Sequence, residues 1–279
     1  MKRLSAVLIA ALLANCAHTV KPPLPQPDPP QFLAWPQELK YIGFRNIEKI
    51  WMTHPIKRGA SVYSLPVAEV QINPHASIDG KTLSTDAFIE ANNISGLLVI
   101  KDGRILLERY AHGRSPEDRW LSASIAKSVT STLIGAALQD GSIKSLDDLV
   151  TTYLPELRGS AYEGVTLRQL LTMTSGIAWD ESYSNPESDV AKGLALPPKE
   201  CGVNTAITYS KGLPRVAPAG TKFNYNSAET DLVGILLARA TGQSLSSYLS
   251  AKIWAPFGME RDGVWATDSS GQETGGSNI

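Results

Sequence analysis

The feature that most constrains the fold is an apolar run that begins directly after Ser124 and continues at helical spacing toward Gly141. Hydrophobic side chains recur there every three or four residues, which predicts an amphipathic helix with one buried face. The helix begins with Ser124-Ile125-Ala126-Lys127, so one helical turn points a hydroxyl and an amine in the same direction. The apolar positions of the buried face are Val129, Leu133, Ile134, Ala137 and Leu138.

This serine–lysine pair has the composition of an activated nucleophile. Serine is weakly nucleophilic at neutral pH, and a partly desolvated lysine on the same helix face helps to supply the base that it needs. Backbone N–H groups and the positive dipole end at a helix N-terminus favour the negative charge of an acyl-transfer transition state. Two common residue types at this spacing also occur by chance. The alternative, in which Ser124 caps the helix and Lys127 is solvated, therefore stays open at this point.

A β-hairpin is predicted directly before this helix. Residues 95–100 and 105–110 contain apolar runs, and Asp102-Gly103 lies between them. Asp-Gly between two apolar runs is a strong hairpin signal. The serine–lysine helix therefore follows a pair of strands in the sequence.

Further helices are predicted downstream, with one long irregular stretch between them. Thr166 precedes leucines at helical spacing, which is typical of a capped helix start. Residues 229–240 and 245–254 are predicted to form two more helices. Residues 178–218 are weakly periodic and rich in Asn, Pro, Gly and Ser, which indicates a binding loop or lid.

The composition argues against two classes of partner. The chain has 279 residues, a formal net charge of −1 and no dense Lys/Arg cluster, so it lacks the basic footprint that nucleic-acid binding needs. The histidines and cysteines are scattered without metal-ligand spacing, so we expect neither a metal site nor a cofactor. These residues are His18, His54, His75, His112, Cys16 and Cys201.

The N-terminus has the pattern of a bacterial export signal. Met1-Lys2-Arg3 is positively charged, and residues 4–14 form an apolar segment too short to span a bilayer. Leu13-Ala14-Asn15-Cys16 resembles a lipobox, although Asn15 stands where Gly, Ala or Ser is usual. We expect an exported lipoprotein that is anchored to the membrane through Cys16 and faces the periplasm or the exterior. The alternative is ordinary secretion, with Cys16 discarded or left as a free thiol.

Several segments in order resemble the serine β-lactamase and penicillin-binding-protein superfamily, in its branch of class C enzymes, esterases and amidases. The agreement runs from residue 95 to residue 260 and is far more specific than the serine–lysine pair. The resemblance implies that Ser124 is the nucleophile. Besides the hairpin and Ser124-x-x-Lys127, the matching segments are residues 166–176 (TLRQLLTMTSG), 218–227 (PAGTKFNYNS) and 256–259 (PFGM).

In this superfamily a tyrosine beside the nucleophile relays protons, and two tyrosines compete for that role. Tyr183-Ser184-Asn185 spells the Y-x-N of class C enzymes, but only Tyr225 follows the expected Pro-Gly-Phe lead-in. We therefore assign Tyr225. Free tyrosine has a pKa near 10, so it acts as a base at neutral pH only if a cation such as Lys127 stabilises its phenolate. The alternative is an aromatic side chain buried against the serine helix.

At two positions the sequence departs from the superfamily pattern, and both departures resemble the pattern of the 6-aminohexanoate-oligomer (nylon-oligomer) hydrolases. Met173 replaces a histidine, and Ser227 replaces the asparagine of Y-x-N. In that branch a Y-x-S form occurs, and a lid tyrosine hydrogen-bonds the scissile amide. The resemblance implies that Tyr183 and Ser227 bind substrate, with a plain surface role as the alternative for Tyr183. Asp189 is a weaker candidate for a substrate ammonium, since a lone acid in a polar loop is usually solvated.

The resemblance implies an α+β fold of the β-lactamase/transpeptidase type, in which helices flank an antiparallel sheet and form a helical subdomain. The sequence supplies the first hairpin of that sheet and ends at Ile279, where relatives continue into three further strands. A second oxyanion donor would be lost with them, at a typical cost of about 100- to 1,000-fold in rate, and the hairpin edge would be unpaired. We therefore expect a poorly folded or inactive chain. The alternative is an incomplete sequence of an active enzyme.

With these segments placed, we divide the chain into four parts. Residues 1–16 are a lipoprotein signal peptide, and residues 17–31 are a proline-rich, extended linker. Residues 32–94 are an N-terminal extension that we expect to dock on the main domain. Residues 95–279 are a truncated hydrolase domain.

The resemblance implies a serine hydrolase that cleaves a small-molecule amide or ester through an acyl-enzyme. Ser124 attacks, Lys127 and Tyr225 pass its proton to the leaving group, and the Ser124 N–H supplies half of the oxyanion site. A carboxylesterase and a penicillin-recognising peptidase or lactamase are alternatives within this class. The competing class is a non-catalytic lipoprotein that kept the fold as a binding module.

Overall fold

The computed structural model of the protein describes residue 32, residues 35–195, residues 204–268 and residues 270–279. The signal peptide with Cys16, the proline-rich linker and Cys201 lie outside the described residues. The helices are α1 Gln37–Gly43, α2 Ile47–Ile50, α3 Thr85–Ala91, α4 Ile125–Gln139, α5 Val150–Tyr153, α6 Leu167–Leu171, α7 Asp189–Ala195, α8 Thr205–Lys211, α9 Ser227–Thr241 and α10 Leu245–Leu249, with a 3₁₀ turn at Pro155–Leu157 and a π-helical turn at Ser250–Trp254. The strands are β1 Thr53–Ile56, β2 His75–Ile78, β3 Lys81–Ser84, β4 Gly96–Lys101, β5 Arg104–Tyr110 and β6 Gly263–Ala266.

The hairpin prediction is confirmed. β4 and β5 pair antiparallel, and the turn between them places Asp102 at φ 51° and Gly103 at φ 71°. Both residues are thus left-handed, as a tight hairpin turn with the strand twist requires. The β4 side chains Leu98 and Ile100 are 50% and 44% exposed, so one apolar face of this hairpin is open.

The prediction of one antiparallel sheet differs from what the structure contains. The described strands form three separate two-stranded sheets, which pair β1 with β6, β2 with β3, and β4 with β5. The β1–β6 pair joins two segments that are about 200 residues apart and have no clear alternation of apolar and polar residues. Long-range pairing of this kind is invisible to local patterns, so the sequence did not indicate it.

The serine helix is confirmed as α4, which is followed by Gly141 in a left-handed conformation at φ 76°. Leu133, Ile134 and Ala137 are fully buried, as the spacing predicts. Val129 and Leu138 are only partly buried and pack at the edge of the same core.

Helix α9 is the centre of the core, and the predicted helix at residues 229–240 is confirmed with slightly wider bounds. It contacts α4, α5, α6, α7, α8 and α10. Its buried positions run almost all the way round the helix, which is typical of a central element. Full burial of each leucine or valine stabilises the fold by roughly 1.5–3 kcal/mol. The fully buried side chains are Leu232, Val233, Leu236 and Leu237.

The loop prediction for residues 178–218 is partly wrong, because α7 and α8 lie within that range. Each has seven residues, too few to reveal a helical period. The start of α8 is fixed by Asn204, whose side chain accepts hydrogen bonds from the N–H groups of Ala206 and Ile207. Residues 196–203 lie outside the described part of the chain.

The N-terminal segment packs on the main body through its own aromatic cluster. Phe32, Trp35 and Ile47 are buried together with Leu121 and Ala266. Since β1 also pairs with β6, this segment contacts both the start and the end of the later chain; the boundary at residue 94 stays a prediction. Among the helices that the structure describes, none has the length and apolar character needed to cross a bilayer.

Candidate active site

Ser124 lies at the N-cap position of α4, and Lys127 follows on the first turn. The Lys127 Nζ is 3.1 Å from the Ser124 Oγ, and both residues are partly buried. The Ser124 side chain makes no capping hydrogen bond, so a capping role does not explain it. Ala123, directly before it, has φ 45°, which is uncommon for a residue with a Cβ and is a form of local strain often found at functional sites.

Lys127 has two further neighbours. Its ammonium donates to the Gly276 carbonyl oxygen at 2.6 Å, and its Nζ lies 5.2 Å from the centroid of the Tyr225 ring, within cation–π range. The structure thus brings Ser124, Lys127 and Tyr225 together, as the sequence predicts. The Gly276 carbonyl was missed, although the Gly275-Gly276 pair is a signal of close backbone approach.

Tyr225 stands on a loop that leads into α9. The backbone of this loop is held by Asn224, whose N–H donates to the Met173 carbonyl at 2.9 Å and whose side-chain amide donates to the Trp179 carbonyl at 3.1 Å. Met173 has φ 52°, so its carbonyl is presented by a left-handed turn. Tyr225 itself is 36% exposed, and a fully buried packing role is therefore excluded.

Tyr183 and Ser227 meet at the carboxylate of Glu181. The Tyr183 hydroxyl donates to Glu181 Oε1 at 2.7 Å, and the Ser227 N–H donates to Oε2 at 3.1 Å. The Ser227 hydroxyl and the Trp179 indole N–H also donate to this carboxylate. Glu181 therefore joins the segment of residues 178–195, which we call the lid segment, to the N-terminus of α9. No sequence pattern singles out Glu181.

The electrostatics of the lid segment keep the Tyr183 hydroxyl protonated. Desolvation, and then the hydrogen bond to Glu181, raise the pKa of Tyr183 well above its usual value. Because the proton points at Glu181, the Tyr183 oxygen is left as an acceptor toward any other partner. It suits a group that donates a hydrogen bond.

Asp189, the weaker ammonium candidate, has a structural role in the lid segment. Its Oδ1 accepts from the Tyr209 hydroxyl at 2.6 Å, and its Oδ2 accepts from the Asp180 N–H at 2.7 Å. Both carboxylate oxygens are thus engaged inside the fold. The interpretation of Asp189 as a solvated acid was wrong for the same reason.

A buried acid lies behind the Tyr225 loop. Glu229 is 1% exposed, and its only donor among the described side chains is the Ser175 hydroxyl. Burial raises the pKa of Glu229 to about 8, so the neutral acid dominates at pH 7. In the same described residues, no group of three or more His, Cys, Asp or Glu side chains is arranged to hold a metal ion.

Residues 86–276 match the family model described as Beta-lactamase. The chain is 33% identical over 187 residues to the 6-aminohexanoate-dimer hydrolase of Paenarthrobacter ureafaciens, a match that covers 66% of this chain and 47% of that protein. It is 26% identical over 177 residues to Protein flp of Staphylococcus aureus strain MW2, covering 60% of this chain and 34% of that protein. The chain thus spans about half, or less, of the length of these curated relatives.

A solved structure has the same fold over most of the chain. It is the putative 6-aminohexanoate-dimer hydrolase from Bacillus anthracis, which superposes with a TM-score of 0.74 at 22% identity. The match covers 85% of this chain and 64% of that one. At this identity the likeness concerns the fold alone, and it confirms the β-lactamase/transpeptidase type.

Proposed function

Because this chain belongs to the beta-lactamase family, we propose that it is a serine hydrolase that cleaves an amide bond through an acyl-enzyme. The observation that carries the proposal is the position of the Lys127 Nζ, which lies 3.1 Å from the Ser124 Oγ and faces the Tyr225 ring. A nucleophile, a proton-transfer partner and a second relay group are thereby adjacent.

The reaction follows from these contacts. The Ser124 oxygen attacks the carbonyl carbon, and its proton passes through Lys127 and Tyr225 to the leaving nitrogen as the C–N bond breaks. The Ser124 N–H, at a helix start where N–H groups lack intrahelical acceptors, stabilises the developing oxyanion. Water then attacks the acyl-enzyme, its proton returns through the same pair, and the acid product is released.

The lid segment favours amides over esters. The Tyr183 oxygen is an acceptor because its proton is donated to Glu181. A scissile amide has an N–H to offer to this oxygen, whereas an ester has none. The named activity of the P. ureafaciens relative, on 6-aminohexanoate dimer, is consistent with this class.

The proposal takes the alternative of an active enzyme over the expectation of an inactive chain, because Ser124, Lys127 and Tyr225 lie close together. Turnover of three substrate classes tests it. We expect hydrolysis of 6-aminohexanoate dimer to exceed that of a matched p-nitrophenyl ester relative to their uncatalysed rates, and hydrolysis of a chromogenic cephalosporin to be weakest. The Ser124→Ala variant abolishes all turnover, whereas Ser131→Ala, on the exposed side of the same helix, retains it. Activity that does not depend on Ser124 contradicts the proposed serine hydrolase. A preference for the ester or the cephalosporin contradicts the proposed specificity for amides.

We also propose that the chain is exported and lipid-anchored at Cys16. The support is the charged and apolar N-terminal sequence that ends in Leu13-Ala14-Asn15-Cys16. Expression in a bacterial host with an alkyne-bearing fatty acid labels the wild type and Cys201→Ser but not Cys16→Ser. Equal labelling of both cysteine variants, or none in the wild type, contradicts lipidation.

A further inference from the structure

A pair of glycines occupies a narrow slot beside the candidate active site. A Cβ on Gly275 would collide with the Thr230 carbonyl oxygen and lie 2.9 Å from the Gly234 Cα. A Cβ on Gly276 would lie 2.9 Å from the Ser227 carbonyl oxygen. All three neighbours belong to α9, so the glycine backbone lies directly on that helix. Only glycine fits at this separation.

The peptide group between the two glycines is gripped from both helices. The Thr130 hydroxyl of α4 donates to the Gly275 carbonyl oxygen at 2.7 Å. The Gly276 N–H donates to Asp231 Oδ1 of α9 at 2.8 Å. These two bonds engage the carbonyl and the N–H of one peptide unit, which fixes its plane.

The next carbonyl along the chain is the one that Lys127 uses. The Gly276 oxygen accepts from the Lys127 Nζ at 2.6 Å, and the same Nζ is 3.1 Å from the Ser124 Oγ. Lys127 and Thr130 lie three residues apart and therefore on the same face of α4. The path from Asp231 to the lysine thus runs through the Gly275–Gly276 peptide and the Gly276 Cα to the carbonyl of the next peptide unit.

We propose that Asp231 is a positioning residue of this hydrolase: by holding the Gly275–Gly276 peptide, it sets the Gly276 carbonyl that orients the Lys127 ammonium toward Ser124. The proposal rests on the proposed function for its effect on rate. The hydrogen bonds of Thr130 and Asp231 to the Gly275–Gly276 peptide, which we call the clamp, do not depend on that function. Asp231 touches no reacting atom and acts only through the backbone.

The charge of Asp231 adds to this effect. Of the charged groups that face it, Lys127 on α4 favours the ionised carboxylate, whereas Asp268 after β6 and Glu181 in the lid segment oppose it. Desolvation is the largest influence and raises the pKa of Asp231 to about 6. The carboxylate is therefore ionised at pH 7 and takes up a proton as the pH falls through about 6. The negative charge that attracts Lys127 is lost over that range.

Three variants separate the hydrogen bond from the charge. Asp231→Ala removes both, Asp231→Asn keeps an oxygen acceptor but removes the charge, and Thr130→Val removes the grip on the other end of the peptide. Asp148→Asn is the matched control, because Asp148 also accepts side-chain and backbone hydrogen bonds but does so away from the site. Thermal unfolding is recorded for each variant.

The first readout is independent of catalysis. Hydrogen exchange of the Gly276 amide should accelerate about tenfold or more in Asp231→Ala, because the amide loses its hydrogen bond to a charged acceptor, one of the stronger kinds of hydrogen bond. Asp231→Asn and Asp148→Asn should keep most of the protection. An unchanged Gly276 exchange rate in Asp231→Ala, with the fold intact, refutes the clamp.

The second readout is turnover. We expect kcat to fall on the order of 100-fold in Asp231→Ala at nearly unchanged KM, the scale of a small misplacement of a reacting group. The kcat of Thr130→Val should fall less. The wild type should lose kcat as the pH falls through about 6, and Asp231→Asn should lack that decline. Faster Gly276 exchange with unchanged kcat and pH profile refutes the positioning role. Absence of Ser124-dependent turnover in the wild type refutes the proposed function. In that case the Gly276 exchange rate alone decides whether the clamp exists.

Discussion

The two sides of the candidate active site are held together in different ways. Ser124 and Lys127 stand on α4, and the backbone that contacts Lys127 is fixed between α4 and α9 by Thr130 and Asp231. Tyr183, by contrast, is 46% exposed and is held by one carboxylate in the lid segment. Closely packed, buried groups are sensitive to single substitutions, whereas a single exposed hydrogen bond contributes little to stability. The groups that we propose to react are thus held by the core, whereas Tyr183 and Ser227, proposed to contact substrate, depend on Glu181.

Loss of the lysine should have the largest effect. Replacement of Lys127 by Met removes the proton-transfer partner of Ser124 and should lower kcat on the order of 1,000-fold or more. Lys144→Met, an exposed lysine after the same helix, is the control and should behave as the wild type. Steady-state kinetics on 6-aminohexanoate dimer checks this. A residual rate within tenfold of the wild type would show that Lys127 is not part of the relay.

The packing of the glycine slot should affect stability. Gly275→Ala forces a Cβ against the Thr230 carbonyl and should destabilise the fold by about 1–3 kcal/mol. Gly135→Ala is the matched control, because that position in α4 is open and alanine should stabilise a helix interior by about 1 kcal/mol. Urea unfolding of the two variants should therefore give changes of opposite sign. Equal effects would contradict the close approach of Gly275 to α9.

The lid segment should respond selectively. Glu181→Gln leaves an amide that accepts fewer hydrogen bonds than the four donors around it require. We expect amide turnover to fall about tenfold while the reaction of Ser124 with a small fluorophosphonate is nearly unchanged. Glu187→Gln, whose carboxylate pairs with Lys192 at the surface, is the control. An equal loss in both reactions would show that Glu181 acts on the reaction of Ser124 itself and not only on the contacts with the amide substrate.

The buried acid Glu229 should change the pH dependence of stability. The pKa of Glu229 is near 4.3 in an unfolded chain and about 8 in the fold. A raised carboxyl pKa gives stability that is fully present below the unfolded value and is lost as pH rises through about 8. Glu229→Gln should remove this loss, so its free energy of unfolding should vary less between pH 5 and 9 than that of the wild type. Parallel pH profiles would show that Glu229 is ionised in the fold.

The sequence predicted the local elements well and the long-range ones poorly. Short patterns of turn residues and helical spacing predict the hairpin at Asp102-Gly103, the serine helix and the Thr166 cap. The structure confirms all three. The pairing of β1 with β6 depends on contacts across most of the chain, which no local pattern encodes. α7 and α8 are too short to show a period.

The candidate site divides in the same way. Ser124, Lys127 and Tyr225 were found because motif spacing and resemblance place them, and the structure brings them together. Glu181, Asp231 and the Gly276 carbonyl were missed because their roles arise from tertiary contacts. In the sequence, Glu181 looks like part of an acidic loop, and Asp231 looks like an ordinary polar residue on a helix. A backbone carbonyl is present at every residue, so its role cannot be predicted from residue type.

The central claim is that Ser124 is the residue activated by Lys127, and the most direct test is covalent trapping. The 279-residue chain is incubated with a fluorophosphonate at pH 7, and the adduct is located by intact mass and peptide mapping. We predict one adduct on the peptide that contains Ser124 in the wild type and in Ser131→Ala, and none in Ser124→Ala or Lys127→Met. Labelling that persists in Ser124→Ala, or a folded wild type that takes up no label, would contradict the account.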